Sequence, residues 1–453
     1  MKDVRNTYSF RRYAAQNSAA ALRLRPRRVA DTPSGLSSSL ATNFARLAWR
    51  SKPTMSSRMA RKVQKKIRLV KSAFYNEKDT KKKLADFILR SDILSMNNET
   101  SKFEKAFAKK QERKYAVFVN SGSTANYVLF QALLNLGRLQ KGDAVGISAV
   151  TWSTNVMPLI QLGFKIIPID CELSTLNVSA STLEARVGGI KALFLTNVLG
   201  LCDDLRKIKM LCDKNKVVFF EDNCESLGSR MGGKLLGNFG VASTFSFFVG
   251  HHFSTIEGGM IVTDDEDLYH ALVVARAHGW SRNLAPAKKQ ALRDEYKVDE
   301  FFDLYTFFDL AFNVRPTDIH GFIGNVQMKY WDRIVRERER NFLFMVKYIN
   351  DNDDFLPIKT DHMEIVSNFA VPLVCKDKDT YLRYRKKFQD GGVEIRPIIA
   401  GNISRQPFFK KYIVEVPLCP NADFIHEHGF YFGNNPELSK QELSLLKRLL
   451  QNG

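Results

Sequence analysis

Two adjacent histidines, His251 and His252, lie between an apolar run from Thr244 to Val249 and a second from Met260 to Val262. That order reads as strand, loop, strand, with the imidazoles on the loop. An imidazole titrates near neutrality, so it can take a proton in one step and return it in the next. It cannot condense with a carbonyl as a primary amine does. Two other groupings carry comparable chemistry. Ser121-Gly122-Ser123-Thr124 follows the apolar stretch Tyr115 to Val119 and opens a helix that runs through Leu136; free backbone N–H groups and the positive helix end there suit a phosphate without any lysine. Glu221-Asp222-Asn223-Cys224-Glu225-Ser226 follows the apolar run Val217 to Phe220, and a carboxylate buried at that point needs a partner to offset its desolvation.

These residues need rigid elements to hold them. A strand is expected at Ala144 to Val150, Lys165 to Ile169, Ala192 to Thr196 and Val217 to Phe220, with helices at Asn155 to Leu162, near Ser181 to Val187, and at Leu205 to Asn215. Strands alternating with helices imply a mostly parallel sheet covered on both faces. Ligands of such sheets bind beyond the carboxyl ends of the strands, where the groupings above fall. Upstream, helices are expected from Val70 to Leu94 and from Ser101 to Gln111, the latter with Ser101 and Glu104 as a capping box. Downstream, a long helix with one break is expected over about Ile319 to Tyr348. Its Arg336-Glu337-Arg338-Glu339-Arg340 run reads as a solvated face with internal ion pairs. Residues from about 350 form a smaller α/β unit.

The chain of 453 residues carries a net charge of +20, which resembles a nucleic-acid signal until it is located. Residues 1 to 70 hold 17 Lys and Arg against Asp3 and Asp31, leaving +5 for the rest. The body is nearly neutral, so no nucleic-acid partner is expected. The basic extension reads as disordered, and is a targeting segment, an arm for anionic surfaces, or a product of a start upstream of Met55 or Met59. No apolar run approaches the roughly 20 residues that span a bilayer. The cysteines, Cys171, Cys202, Cys212, Cys224, Cys375 and Cys419, form no Cys-x-x-Cys pair. They read as reduced thiols of a cytoplasmic protein, without a metal site.

The segment Ser246 to Gly259 resembles the active-site segment of the DegT/DnrJ/EryC1/StrS sugar aminotransferase family of pyridoxal-phosphate (PLP) enzymes. In that family a serine stands five residues before the lysine that binds the cofactor, and here the fifth residue after Ser246 is His251. The same replacement, with doubled histidine and Glu-Gly-Gly, is similar to the family's sugar 3-dehydratase branch. The resemblance covers about residues 70 to 453. It implies the fold type I PLP-dependent transferase fold: a large domain over 66–335 with a mostly parallel seven-stranded sheet between helices, and a smaller C-terminal α/β domain over 336–453, after the extension 1–65.

The resemblance also implies roles. Gly122, Ser123 and Ser246 would hold the cofactor phosphate, Trp152 would lie against its ring unless it is plain core, and Asp222 would meet the pyridine nitrogen. Glu225 would contact the ring hydroxyl or the sugar. Asn313 would reach the phosphate in a neighbouring subunit, making the enzyme a homodimer. His251 would act as the proton-transferring base, while His252 serves either the loop's packing or the substrate. Arg396 and Arg405 would face a nucleotide diphosphate or form structural salt bridges. The implied activity is removal of the C3 hydroxyl of a 4-keto-6-deoxy nucleotide sugar, with GDP-4-keto-6-deoxymannose the expected substrate, in dideoxysugar biosynthesis. Pyridoxamine phosphate (PMP) would be regenerated by L-glutamate. A sister branch acting on CDP-sugars carries an iron–sulfur cluster. No cysteine stands between Cys224 and Cys375, so no cluster is expected here. A family member that has lost its activity is the other reading.

Overall fold

The structure is a computed structural model that describes residues 67–451. The basic extension over 1–65 lies outside the described residues. Seven strands form the main sheet: β1 (Tyr115–Val119), β2 (Ala144–Ser148), β3 (Lys165–Ile169), β4 (Ala192–Thr196), β5 (Val218–Asp222), β6 (Ala242–Ser246) and β7 (Gly259–Thr263). Their spatial order is β1-β7-β6-β5-β4-β2-β3. Only β7 runs against the others, pairing antiparallel with both β1 and β6. Strand β4 lies between β2 and β5 and is buried along its whole length, Ala-Leu-Phe-Leu-Thr. A strand covered on both faces must be apolar on both, which is why it reads as a continuous run.

Helices α1 (Glu77–Arg90), α2 (Asn98–Lys110) and α3 (Gly122–Asn135) precede or follow β1, and α4 (Glu266–Ala275) follows β7. Helix α2 begins three residues before the expected cap, and Ser101 lies inside it. The backbone N–H groups of Asn97, Glu99 and Thr100 donate instead to the carboxylate of Asp318, at 2.7, 3.0 and 3.0 Å. Glu104, freed from any cap, accepts from the Phe118 N–H at 2.8 Å and pairs with Arg276 at 2.5 Å.

The broken long helix is α5 (Asp318–Met328) followed by α6 (Trp331–Asn350). Helix α6 carries the chain through residue 335 and leads to a three-stranded antiparallel sheet, β8 (Ala370–Val374), β9 (Ile395–Pro397) and β10 (Gly429–Gly433), with β10 in the centre. The charge run on α6 is not a uniformly solvated face. Glu337 and Arg340 pair, as expected, but Arg338 is buried. Five carboxyl-terminal strand ends and the β8–β10 sheet meet around one cavity.

Candidate active site

The cavity, of about 460 Å³, is lined by residues from Gly122 and Ser123 to Phe369 and Tyr431, with Trp152, Asp222, Glu225, Ser246 and His251 between them. Most come from the end of an element or the loop that follows it. Gly122 and Ser123 open α3, whose N-cap Ser121 accepts from the Thr124 N–H while Thr124 returns a bond to Ser121. The cap leaves the N–H groups of the first turn directed outward, an arrangement suited to phosphate. This turn packs so closely on the sheet that side chains are excluded. A Cβ on Gly122 would meet Ser246 Cβ at 2.6 Å, and one on Gly259 would meet the Ser121 carbonyl oxygen at 2.1 Å. The two glycines therefore bring the Ser246 hydroxyl and the helix start together.

Asp222 ends β5, is 3% exposed, and pairs with no cation among the described residues. Its carboxylate accepts from Asn155 Nδ2 at 2.6 Å, Asn126 Nδ2 at 3.3 Å and the Cys224 N–H at 2.9 Å. Three neutral donors orient it while its negative charge stays uncompensated, which fits a protonated pyridine nitrogen opposite. The neighbouring Glu221 is a different case. It is fully buried and accepts from the N–H groups of Gly237, Phe239 and Gly240 and from Asn197, so it is a structural strut. Trp152 is 55% exposed at the cavity, where a tryptophan of the core would be covered. The residues present thus fit a PLP or PMP group: a glycine–serine cradle, an aromatic face and an uncompensated carboxylate.

His251 stands at the rim of this arrangement. Its ring packs against Phe369 with centroids 5.2 Å apart, and its Nδ1 has no hydrogen-bond partner. Burial, opposed by the Cys224 carbonyl and assisted by the Arg338 charge, lowers its pKa to about 4, so the imidazole is a neutral base at physiological pH. Glu225 accepts from the Leu199 N–H at 2.9 Å, and burial raises its carboxyl to about 8. It is a proton donor at neutral pH. Among the described residues no lysine lines the cavity.

Other expected residues lie elsewhere. His252 turns away and its Nε2 meets the Ser367 carbonyl at 2.8 Å, a packing contact. Arg396 pairs with Glu394, and Arg405 with Glu427 at 2.7 Å and Asp423 at 3.4 Å; neither lines the cavity. Asn313 is exposed and accepts from Arg315 at 3.0 Å, also outside its own chain's cavity. Asn126, Asn155 and Phe369 were missed because nothing local marks them. Each acts on a partner distant in sequence. Among the described residues no group of three or more His, Cys, Asp or Glu could hold a metal ion, and no helix is long and apolar enough to cross a membrane.

Comparison with known proteins agrees with this geometry. The chain is 34% identical over 380 residues to GDP-4-keto-6-deoxy-D-mannose 3-dehydratase of Escherichia coli O55:H7, covering 82% of this chain and 97% of that one. The enzyme of that name from Yersinia pseudotuberculosis is 34% identical over 370 residues, covering 80% and 93%. A crystal structure of GDP-4-keto-6-deoxymannose-3-dehydratase with a trapped PLP–glutamate geminal diamine superposes with a TM-score of 0.78 at 32% identity, covering 85% of this chain and all of that one. The profile of the DegT/DnrJ/EryC1/StrS aminotransferase family matches residues 76–448, and the chain belongs to that family.

Proposed function

We propose that this protein is a PLP/PMP-dependent nucleotide-sugar 3-dehydratase that removes the C3 hydroxyl of GDP-4-keto-6-deoxymannose, with L-glutamate as amino donor. The observation that carries the reading is His251 at the base position of a cavity that no lysine lines. A lysine there would hold the cofactor covalently; a histidine leaves it non-covalently held and supplies a proton shuttle. The curated relatives of similar length carry this activity in their names.

When bound, the cofactor's pyridine ring supplies an electron sink for charge developing beside the sugar. The chain's residues do the rest. The Gly122 and Ser123 N–H groups and the Ser246 hydroxyl bind the phosphate. Trp152 lies against the ring, and Asp222 keeps a proton on the ring nitrogen. Neutral His251 removes a proton from the cofactor's C4′ carbon and returns it to the departing C3 oxygen, so hydroxide leaves as water. Over the full cycle the sugar gains two hydrogens and loses water, while glutamate becomes 2-oxoglutarate and ammonia.

Two chains would complete each site. Phe301, Tyr305, Leu310 and Phe312 are 81, 76, 71 and 67% exposed on one stretch, and clustered exposed apolar side chains mark an interaction surface. Asn313 follows it directly. A homodimer that covers this ridge would carry Asn313 toward the partner's phosphate site. The six free thiols suit the cytoplasm.

The test is incubation of the protein with GDP-4-keto-6-deoxymannose, PLP and glutamate, followed by mass spectrometry of sugar and keto acid. Loss of the C3 oxygen with 2-oxoglutarate formation is expected, and His251→Lys abolishes it. Formation of a 4-amino sugar by the unaltered protein would return it to the transaminating members of the family.

A further inference from the structure

Arg338 lines the cavity and is a charged residue that the mechanism leaves unused. It is 4% exposed and pairs with no carboxylate among the described residues. A buried guanidinium is expensive unless its donors are occupied; here carbonyl oxygens take up the two terminal nitrogens, while Nε has no partner among the described residues. One terminal nitrogen donates to Phe369 O at 2.8 Å, Asn434 O at 2.6 Å and, more weakly, Asn368 O at 3.4 Å; the other donates to the carbonyl of His251 itself at 3.3 Å. Asn434 returns a bond to the Arg338 carbonyl at 2.9 Å, so α6, β10 and the Asn368–Phe369 segment are joined at this point.

We propose that Arg338 is a positioning residue for His251: its guanidinium ties the base's own carbonyl to that of Phe369, whose ring supports the imidazole, and places a fixed positive charge behind the base. The inference rests on His251 being the base. The linkage extends further. The Phe369 N–H donates to Leu199 O at 3.0 Å, and the Leu199 N–H donates to Glu225. Leu199 holds a left-handed backbone, φ 57°, a conformation a leucine adopts only when its surroundings impose it. One guanidinium thus orders both proton-handling groups of the cavity.

The charge has a direction of effect. A cation beside an imidazole disfavours protonation, and Arg338 acts on His251 in that sense, with burial, against the Cys224 carbonyl. The other ionisable groups around the loop are Glu257, Asp222, Cys224, Glu225 and Tyr431 from the cavity, and His252, Tyr75 and Glu437 behind it. The test therefore changes only Arg338.

Two variants separate tether from charge, with the PLP-loaded enzyme as the sample. Arg338→Gln keeps a donor and removes the charge; Arg338→Lys keeps the charge and cannot span the carbonyls. The His251 ring is titrated directly by NMR, assigned by its absence in His251→Asn, and kcat for dehydration is followed against pH. In Arg338→Gln the His251 titration and the acid limb of the rate profile move up together by roughly one pH unit. In Arg338→Lys the titration stays within a few tenths of a unit of the unaltered enzyme while kcat falls about tenfold or more. An unmoved His251 titration in Arg338→Gln overturns the inference, even where the rate falls. So does failure of Arg338→Lys to fold, since the residue would then be scaffold alone. If the unaltered enzyme does not dehydrate the sugar, the NMR titration still decides the tether, and the failure belongs to the proposed function.

Discussion

Asp222 and Glu225 stand three residues apart and are held by different surroundings. Three donors face the Asp222 carboxylate, whereas Glu225 has a single backbone bond that burial outweighs, raising its carboxyl to about 8. Replacement of Asp222 by Asn leaves the volume unchanged and removes the charge opposite the ring nitrogen. We expect kcat to fall by at least about 100-fold, with the fold intact by circular dichroism; retention of activity would remove Asp222 from the mechanism. Glu225 predicts a stability effect with a definite sign. Its folded pKa of about 8 lies above the ordinary 4.5, so its contribution is complete below pH 4.5 and is lost as pH rises to 8. His251, lowered from 6.5 to about 4, contributes in the opposite sense and is complete above 6.5. Between pH 6.5 and 8 Glu225 acts alone of the two. The cofactor-free protein should lose up to about 1.4 kcal/mol per pH unit across that window, seen as a falling thermal midpoint, and Glu225→Gln should flatten the fall. An unchanged slope would mean that the carboxyl ionises at its ordinary pH.

At the scale of elements, what could be read in advance depended on whether the cause was local. Strand β4 coincides with its expected run because burial on both faces makes the whole segment apolar, and the edge strand β3 also falls where expected. The phosphate turn was equally legible, since its cap is Ser121 and lies within the turn. The start of α2 was not, because its cap is Asp318, contributed from α5. Local spacing offered Ser101 and Glu104 in its place, and Glu104 serves Phe118 and Arg276. Arg338 was hidden for a similar reason. A run of alternating charges has the same appearance whether or not one member turns into carbonyl groups from later in the chain. Asp318→Ala tests the remote cap. Three N–H groups and the Thr100 hydroxyl, 2.8 Å from the carboxylate, lose their acceptor together, and a loss of about 2–3 kcal/mol in denaturant unfolding is expected. A loss under about 0.5 kcal/mol would show that water replaces the carboxylate without cost. Gly259→Ala tests the close approach at the phosphate turn. Its Cβ meets backbone that cannot swing aside, so cofactor affinity should drop together with stability, by roughly 1–3 kcal/mol in the latter.

The whole molecule raises the question of how many chains make one site. Asn313 lies outside the cavity of its own chain and next to the exposed aromatic ridge, so its proposed contact with a phosphate requires a second copy. Sedimentation of the unaltered protein should show a dimer, and replacing Leu310 and Phe312 by Asp should give monomers that bind the cofactor weakly. A stricter experiment mixes two inactive variants, His251→Gln and Asn313→Asp, after reversible dissociation. If Asn313 serves the partner's site, each hybrid dimer has one doubly damaged site and one intact site. Half of a random mixture is hybrid, so activity should recover to about one quarter of that of the unaltered enzyme. If Asn313 serves its own chain, every site in the hybrid keeps one defect and no activity returns. Recovery would place the active site between two chains, and its absence would confine catalysis to the residues that already line a single cavity.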